Sequence, residues 1–169
     1  MRFTGKCNRS RRCFRHGELS SGLRRIMLKK YPKIIVGAIV YNKNGEIFLA
    51  RSYKWKDRWV VPGGHLEWGE TIENAIRREV KEETNMEIKN IEFVDVQEGV
   101  LSGEYHKESH MVFLDYCCEF AESEIKLNSE LQEYIWIKPQ EAVKKLKLSS
   151  TTKMFIENFM GRKYIRLRT

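Results

Sequence analysis

Three glutamates, Glu79, Glu82 and Glu83, crowd the last turns of a segment, GGHLEWGETIENAIRREVKEETN, that carries six. A helix dipole favours acids at its N-terminus, so these sit at the disfavoured end. Glu79–Glu83 is an i,i+4 like-charge pair and Glu79–Glu82 an i,i+3 pair; each such contact costs a few tenths of a kcal/mol even in water. On a helical wheel the apolar arc is Ile72, Ala75, Ile76 and Val80. Glu79 and Glu83 fall inside that arc and Glu82 at its edge, whereas a solvated charge run would lie opposite it. A hard divalent cation, Mg²⁺ or Mn²⁺, reverses the sign of every one of these terms. It prefers carboxylate and carbonyl oxygen and also binds phosphate. Phosphoryl chemistry needs that positioning and charge neutralisation more than a covalent nucleophile.

The elements that must hold these acids follow from patterning. KIIVGAIVY (33–41) reads as a buried strand, NKNG (42–45) as a turn and EIFLAR as its antiparallel partner. WVV (59–61) is a short strand stopped by Pro62 and the glycines, and a helix is expected over 70–84 with Asn85 as a left-handed cap. IEFVDVQEGV, HMVFLDYCCEF and EYIWIK read as further strands, Pro139 opens a short helix, and a last helix over 151–160 is expected to end at Gly161. Strands interleaved with helices define an α/β protein with a mixed sheet and helices on both faces.

PGGHLEWG supplies three glycines just before the acidic helix, and the order is fixed: Gly64, five residues, Glu70, seven residues, Arg78-Glu79-Val80, one residue, Glu82-Glu83. This stretch resembles the Nudix box, G-x5-E-x7-R-E-U-x-E-E-x-G-U with U aliphatic. Gly64, Glu70, Arg78, Glu79, Val80, Glu82, Glu83 and Met86 match, and Asn85 stands where the pattern has glycine. The resemblance implies a Nudix-type α/β/α sandwich in which the box forms a loop-helix-loop. It also implies hydrolysis of a nucleoside diphosphate linked to another group. Under it, Glu79, Glu82, Glu83 and the Gly63 carbonyl hold Mg²⁺ or Mn²⁺, and Glu79 orients or deprotonates the attacking water. Glu70 and Arg78 form a structural ion pair. A further acid from a later loop, Glu130 or Glu133, is a candidate ligand. PGGHLEWGET resembles the MutT-like branch, which implies a nucleoside triphosphate cleaved to monophosphate and pyrophosphate. An ADP-ribose or nucleotide-sugar pyrophosphatase is the alternative. Trp55, Trp68, Tyr105 and His110 are candidates for contact with the substrate; Trp59 is read as core.

Charge divides the chain. Residues 1–30 hold ten Lys/Arg against Glu18 alone, a net +9, and the remainder nets −1. The reading is therefore a basic arm (1–30), a Nudix domain (31–161) and a basic tail (162–169). The arm has the electrostatic character of a nucleic-acid-binding segment, so a nucleic-acid-binding or RNA-end-processing module is the alternative of another class. Cys7, Cys13 and His16 in the arm lack a fourth zinc ligand at a familiar spacing, and Cys117–Cys118 read as core thiols on opposite strand faces. The longest apolar run, IIVGAIV, is too short to cross a membrane. The expectation is a cytoplasmic enzyme without membrane partners, for which a homodimer is an open alternative.

Overall fold

KIIVGAIVY is apolar at almost every position because both of its faces are covered. It forms β1 (Lys33–Tyr41), the centre of a seven-stranded mixed sheet. The other strands are β2 (Ile47–Ser52), β3 (Arg58–Val60), β4 (Gly63–His65), β5 (Ile88–Val100), β6 (His110–Phe120) and β7 (Leu131–Ile137). The helices are α1 (Ile72–Thr84), α2 (Pro139–Lys145) and α3 (Ser150–Arg166). The structure, a computed structural model, describes residues 30–166, with side chains as far as Arg162. The arm cysteines and His16 lie outside the described residues.

The main path of the sheet is β3-β2-β1-β6-β5. β1 runs parallel to β6 and antiparallel to β4 and β2; β7 joins the far side of β2. Alternation along β1 divides the core in two. Val36, Ala38 and Val40 pack with Ala75, Ile76 and Val80 of α1, together with Phe48, Met86 and Cys118. Ile39 packs on the opposite face with Phe155, Ile156 and Phe159 of α3 and Ala142 of α2. Each fully buried aliphatic or aromatic side chain contributes on the order of 1.5–3 kcal/mol, so the two layers stabilise the same sheet from both sides. The α/β/α sandwich is the observed architecture. Cys118 is buried on the α1 side and Cys117 packs partly buried on the other.

Three local features depart from the patterning. Gly63–His65 is a strand, not a stop, because it pairs with Ile35–Gly37 of β1. The acidic helix starts at Ile72: Thr71 is its N-cap, accepting from the Asn74 N–H at 3.3 Å, which leaves Glu70 outside the helix. The last helix passes through Gly161 to Arg166. A mid-helix glycine costs only ~1 kcal/mol, and the anchors Phe155, Ile156 and Phe159 precede it.

At the end of α1, Asn85 takes the left-handed conformation with φ 58°, its N–H donating to the Lys81 carbonyl at 2.8 Å. Its Nδ2 also donates to the Glu124 carbonyl at 2.9 Å, which offsets part of the cost of not being glycine. Asn85→Val is therefore expected to lower stability by about 1–2 kcal/mol, the penalty of that conformation for a residue with a bulky Cβ. Asn85→Gly should stay within about 1 kcal/mol, since easier backbone geometry replaces one partly exposed hydrogen bond. Urea melts of both variants measure the difference; equal losses would contradict the cap assignment.

Candidate active site

The first turns of α1 bury aliphatic groups, and the same face then presents carboxylates at the edge of the sheet. Glu79 keeps 14% of its side chain exposed and Glu82 keeps 60%. Glu83 retains some exposed surface, yet its carboxylate is enclosed by protein and accepts a 3.0 Å hydrogen bond from the Gly63 N–H. Burial pushes its pKa up to about 8; the Gly63 bond and Lys54 oppose the rise, while Glu79 and Glu130 add to it. Glu79 is also raised, by burial first, with Arg78 opposing and Glu82 and Glu130 reinforcing.

Arg78 ties the loop to the helix. Its Nε and Nη2 donate to the two oxygens of Glu70, each at 2.9 Å, a bidentate fork that fixes orientation as well as charge. Nη2 reaches the His65 carbonyl at 3.0 Å, and Nη1 reaches Glu79 at 2.7 Å and Glu82 at 3.4 Å. Gly64 is where loop and helix touch. A Cβ there would stand 2.4 Å from the Glu79 carboxyl, so the missing side chain is what lets that acid lie against the loop backbone.

Glu130 arrives from the far side of the sheet, just before β7, and is ion-paired with Lys54. Among the described residues, Glu70, Glu79, Glu82, Glu83 and Glu130 thus meet Arg78 and Lys54 as their basic partners. Such a region is short of positive charge, and its donors are hard oxygens of the kind that Mg²⁺ and Mn²⁺ prefer. Among the described residues no three of these groups are drawn close enough to form a ready-made coordination shell. The arginine and lysine hold the acids instead. Ionising Glu83 here places a charge that is enclosed by protein and met by one hydrogen bond, which is why its carboxyl is held well above the ordinary range.

Two open-mouthed cavities meet beside this cluster. One, of about 510 Å³, contains Glu83, Glu130, Lys54, Gly63, Gly64, His65 and Tyr105. The other, of about 390 Å³, lies between the sheet and α3, with Gly37, Asp115, Thr151, Thr152 and Phe155. Ile35, Trp55, Val60, Val61, Gly63 and Phe113 line both. Trp55 packs on Tyr105 with ring centroids 5.0 Å apart and on Phe113 at 6.3 Å.

The sequence candidates therefore separate in space. Glu79, Glu83, Gly63 and Glu130 converge, Glu82 lies at the rim, and Trp55 and Tyr105 form a wall. Trp68 is 102% exposed on the outside of the loop and lines neither cavity. His110 also stands apart, its Nε2 2.7 Å from Glu98 Oε1, because the first residue of β6 faces the neighbouring β5. Glu133 is engaged by Arg51 at 3.0 Å, away from the acids. Lys54, Gln97 and Asp115 went unnoticed in the sequence. For Asp115 a signal existed, a single acid within the apolar run MVFLDY.

The NUDIX domain family model matches residues 32–159. The chain belongs to the Nudix family. The nucleoside triphosphatase NudI of Escherichia coli strain K12 is 34% identical over 92 residues, a match covering 51% of this chain and 65% of that protein. The aligned part thus spans slightly less than two thirds of this relative. Among solved structures, a MutT protein from Methanosarcina mazei Go1 superposes with a TM-score of 0.68 at 24% identity, covering 80% of this chain and 98% of that one. The NUDIX domain of Shewanella oneidensis NrtR, complexed with ADP ribose, gives 0.67 at 15% identity, covering 85% and 99%. These two likenesses concern the fold. Nudix hydrolases generally use divalent cations, which agrees with the oxygen-rich, charge-deficient cluster on α1. Among the described residues, no helix is long and apolar enough to cross a membrane.

Proposed function

We propose that this Nudix chain is a divalent-cation-dependent pyrophosphohydrolase that cleaves a nucleoside triphosphate between its α and β phosphates, releasing nucleoside monophosphate and pyrophosphate. The observation that carries this reading is the enclosed carboxylate of Glu83, hydrogen-bonded to the glycine loop and opening onto an aromatic-walled cavity. The similarity to a nucleoside triphosphatase supports the substrate class.

In this reading Glu79, Glu82, Glu83, Glu130 and the Gly63 carbonyl hold the cation, Mg²⁺ or Mn²⁺. When bound, the cation neutralises phosphate oxygen charge and acidifies a water. Glu79 would act as the base toward the attacking water; a carboxylate with a raised pKa is better matched to that task than an ordinary one. The Arg78–Glu70 fork holds the loop against α1, so that Gly63 and Glu83 keep their relation while other contacts rearrange. Arg78 pairs with Glu79 and Glu82, and Lys54 with Glu130, so these bases would share the acids' charge with a bound cation. Lys54 lines the cavity and would offer its ammonium group to phosphate oxygen. Trp55 and Tyr105 wall the space where the nucleoside lies. The buried Cys118 is a thiol and not half of a disulfide, which suits a reducing compartment such as the cytoplasm.

Chromatography of the products after incubation with Mg²⁺ and each nucleoside triphosphate decides the reaction. Monophosphate and pyrophosphate in equal amounts are expected. Nucleoside diphosphate with orthophosphate would rule out the bond assigned. Turnover confined to ADP-ribose or nucleotide sugars would replace the substrate while keeping the cation site; the ADP-ribose-bound fold relative makes that the second compound class to assay.

A further inference from the structure

Asp115 is a carboxylate inside the sheet that the proposed chemistry does not use. It is 3% exposed and lines the cavity between the sheet and α3. Burying a charge there is costly unless something in the working protein requires it. Its Oδ2 accepts a hydrogen bond from Gln97 Nε2, which fixes the plane of the carboxyl. Gln97 is itself buried and its Oε1 has no hydrogen-bond partner among the described residues, so the contact this amide makes is with Asp115. Oδ1 accepts no hydrogen bond among the described residues. It faces Gly37: a Cβ at that position would stand 2.9 Å from it, so the glycine leaves Oδ1 unobstructed.

The surroundings are an apolar-walled slot. Ile35, Trp55, Val61, Phe113 and Phe155 provide apolar walls, and Asp115 is the only carboxylate among the lining residues. A mostly apolar lining with one charged group is the pattern in which a few polar atoms fix a ligand's orientation. The strand register places the slot relative to the cation cluster. Asp115 is aligned with Gly37, and Gly37 with Gly63, whose N–H holds Glu83.

We propose that Asp115 determines base specificity: its Oδ1 accepts a hydrogen bond from the exocyclic amino group of a nucleobase seated in this slot, so that amino-bearing bases are preferred to their oxo counterparts. This rests on the nucleotide reading above and adds the base class to it. The preference belongs to the ionised carboxylate, at pH 8 and above: a carbonyl brought against Oδ1 then sets two acceptors face to face, while an amino group satisfies the unpartnered oxygen. Burial holds the Asp115 carboxyl up at about 7, and an N–H donor on Oδ1 would favour its ionised form.

Titration calorimetry at pH 8 with Mg²⁺ and non-cleavable α,β-methylene triphosphates tests this in two matched pairs, cytidine against uridine and adenosine against inosine. The amino member of each pair is expected to bind at least about tenfold more tightly, as sites built around a ligand N–H reject analogues that lack it. In Asp115→Asn the amide can present its NH₂ to the slot, so the preference should vanish or reverse. Gly37→Ala keeps the acid but puts a methyl against Oδ1, and should also abolish the preference if the asparagine variant does not fold. Equal affinities within both pairs in the unaltered protein, or no binding of any analogue, overturn the inference, as does a preference that survives both substitutions. Cleavage to monophosphate without amino/oxo discrimination sinks this inference alone. An Asp115-dependent preference in a protein that does not cleave triphosphates between α and β phosphates sinks the reaction and leaves the slot assignment standing.

Discussion

Glu83→Gln is expected to lower turnover at least about a hundredfold, equivalent to about 2.7 kcal/mol of transition-state stabilisation, while raising the melting temperature of the cation-free protein at pH 8. Both effects come from the same carboxylate. Its enclosure, and its neighbours Glu79 and Glu130, make the ionised form unfavourable without a cation. An amide of the same shape removes that penalty and can still accept from the Gly63 N–H through its oxygen. The amide cannot supply the negative charge that a divalent cation needs. Stability and activity should therefore move in opposite directions, the signature of a functional rather than a structural acid. Glu82→Gln is a useful contrast. Glu82 is 60% exposed, so a loss of about tenfold in turnover should come with little change in melting. Steady-state kinetics and thermal melts of the two variants measure all four quantities. Full activity in Glu83→Gln would remove this acid from the site.

The second expectation concerns pH and cation together. Without a cation the protein should be more stable at pH 5.5 than at pH 8, and Mg²⁺ should restore much of the difference at pH 8. Glu83 is raised from an ordinary 4.5 to about 8, and Asp115 from 3.8 to about 7, each mainly by burial. Between these limits the unfolded chain has released protons that the folded chain retains. Stability contributed by the protonated forms is complete below the ordinary values and is lost as pH rises through the folded ones. The ion-paired acids Glu70, Glu119 and Glu122 act oppositely, but their lowered values confine that effect to more acid conditions, and His65, lowered from 6.5 mainly by burial, offsets only part of the trend as a single group against two. A cation bound only by the folded protein adds stability by mass action, and binds best where Glu83 must otherwise ionise uncompensated. Melting curves at the two pH values, in EDTA and in millimolar Mg²⁺, give the result. A Mg²⁺ shift that is no larger at pH 8 than at pH 5.5 would mean that Glu83 does not bind the cation.

Features governed by local periodicity were open to sequence reading, whereas those governed by strand adjacency were hidden. The inward turn of Glu79 and Glu83 followed from the 100° step between helical residues, since Ala75, Ile76 and Val80 fix which way the helix faces. Asn85 declared its conformation because few residues other than glycine tolerate it. Gly63 and Gly64, by contrast, gave the signal of an interruption, and only pairing with Ile35–Gly37 makes them a strand. Asp115 and Gln97 belong to strands 18 positions apart in sequence, and nothing local says that β6 lies beside β1 with Asp115 opposite Gly37. Trp68 and His110 show the converse. Trp68 is close to the glutamate box in sequence yet turned away from it in space, and His110 is an aromatic diverted to a neighbouring acid.

The alignment of Asp115, Gly37 and Gly63 across three hydrogen-bonded strands has a metric consequence. Neighbouring strands are spaced by about 4.8 Å, so two steps set roughly 10 Å between the backbone at the closed end of the slot and the backbone that steadies Glu83. That interval is written into main-chain hydrogen bonds, and no change of rotamer can stretch it. The sheet therefore acts as a caliper. A molecule anchored at one jaw presents to the other whichever of its bonds lies at the set distance, so lengthening or shortening the ligand by one link moves a different bond into position without altering a single contact at the anchored end.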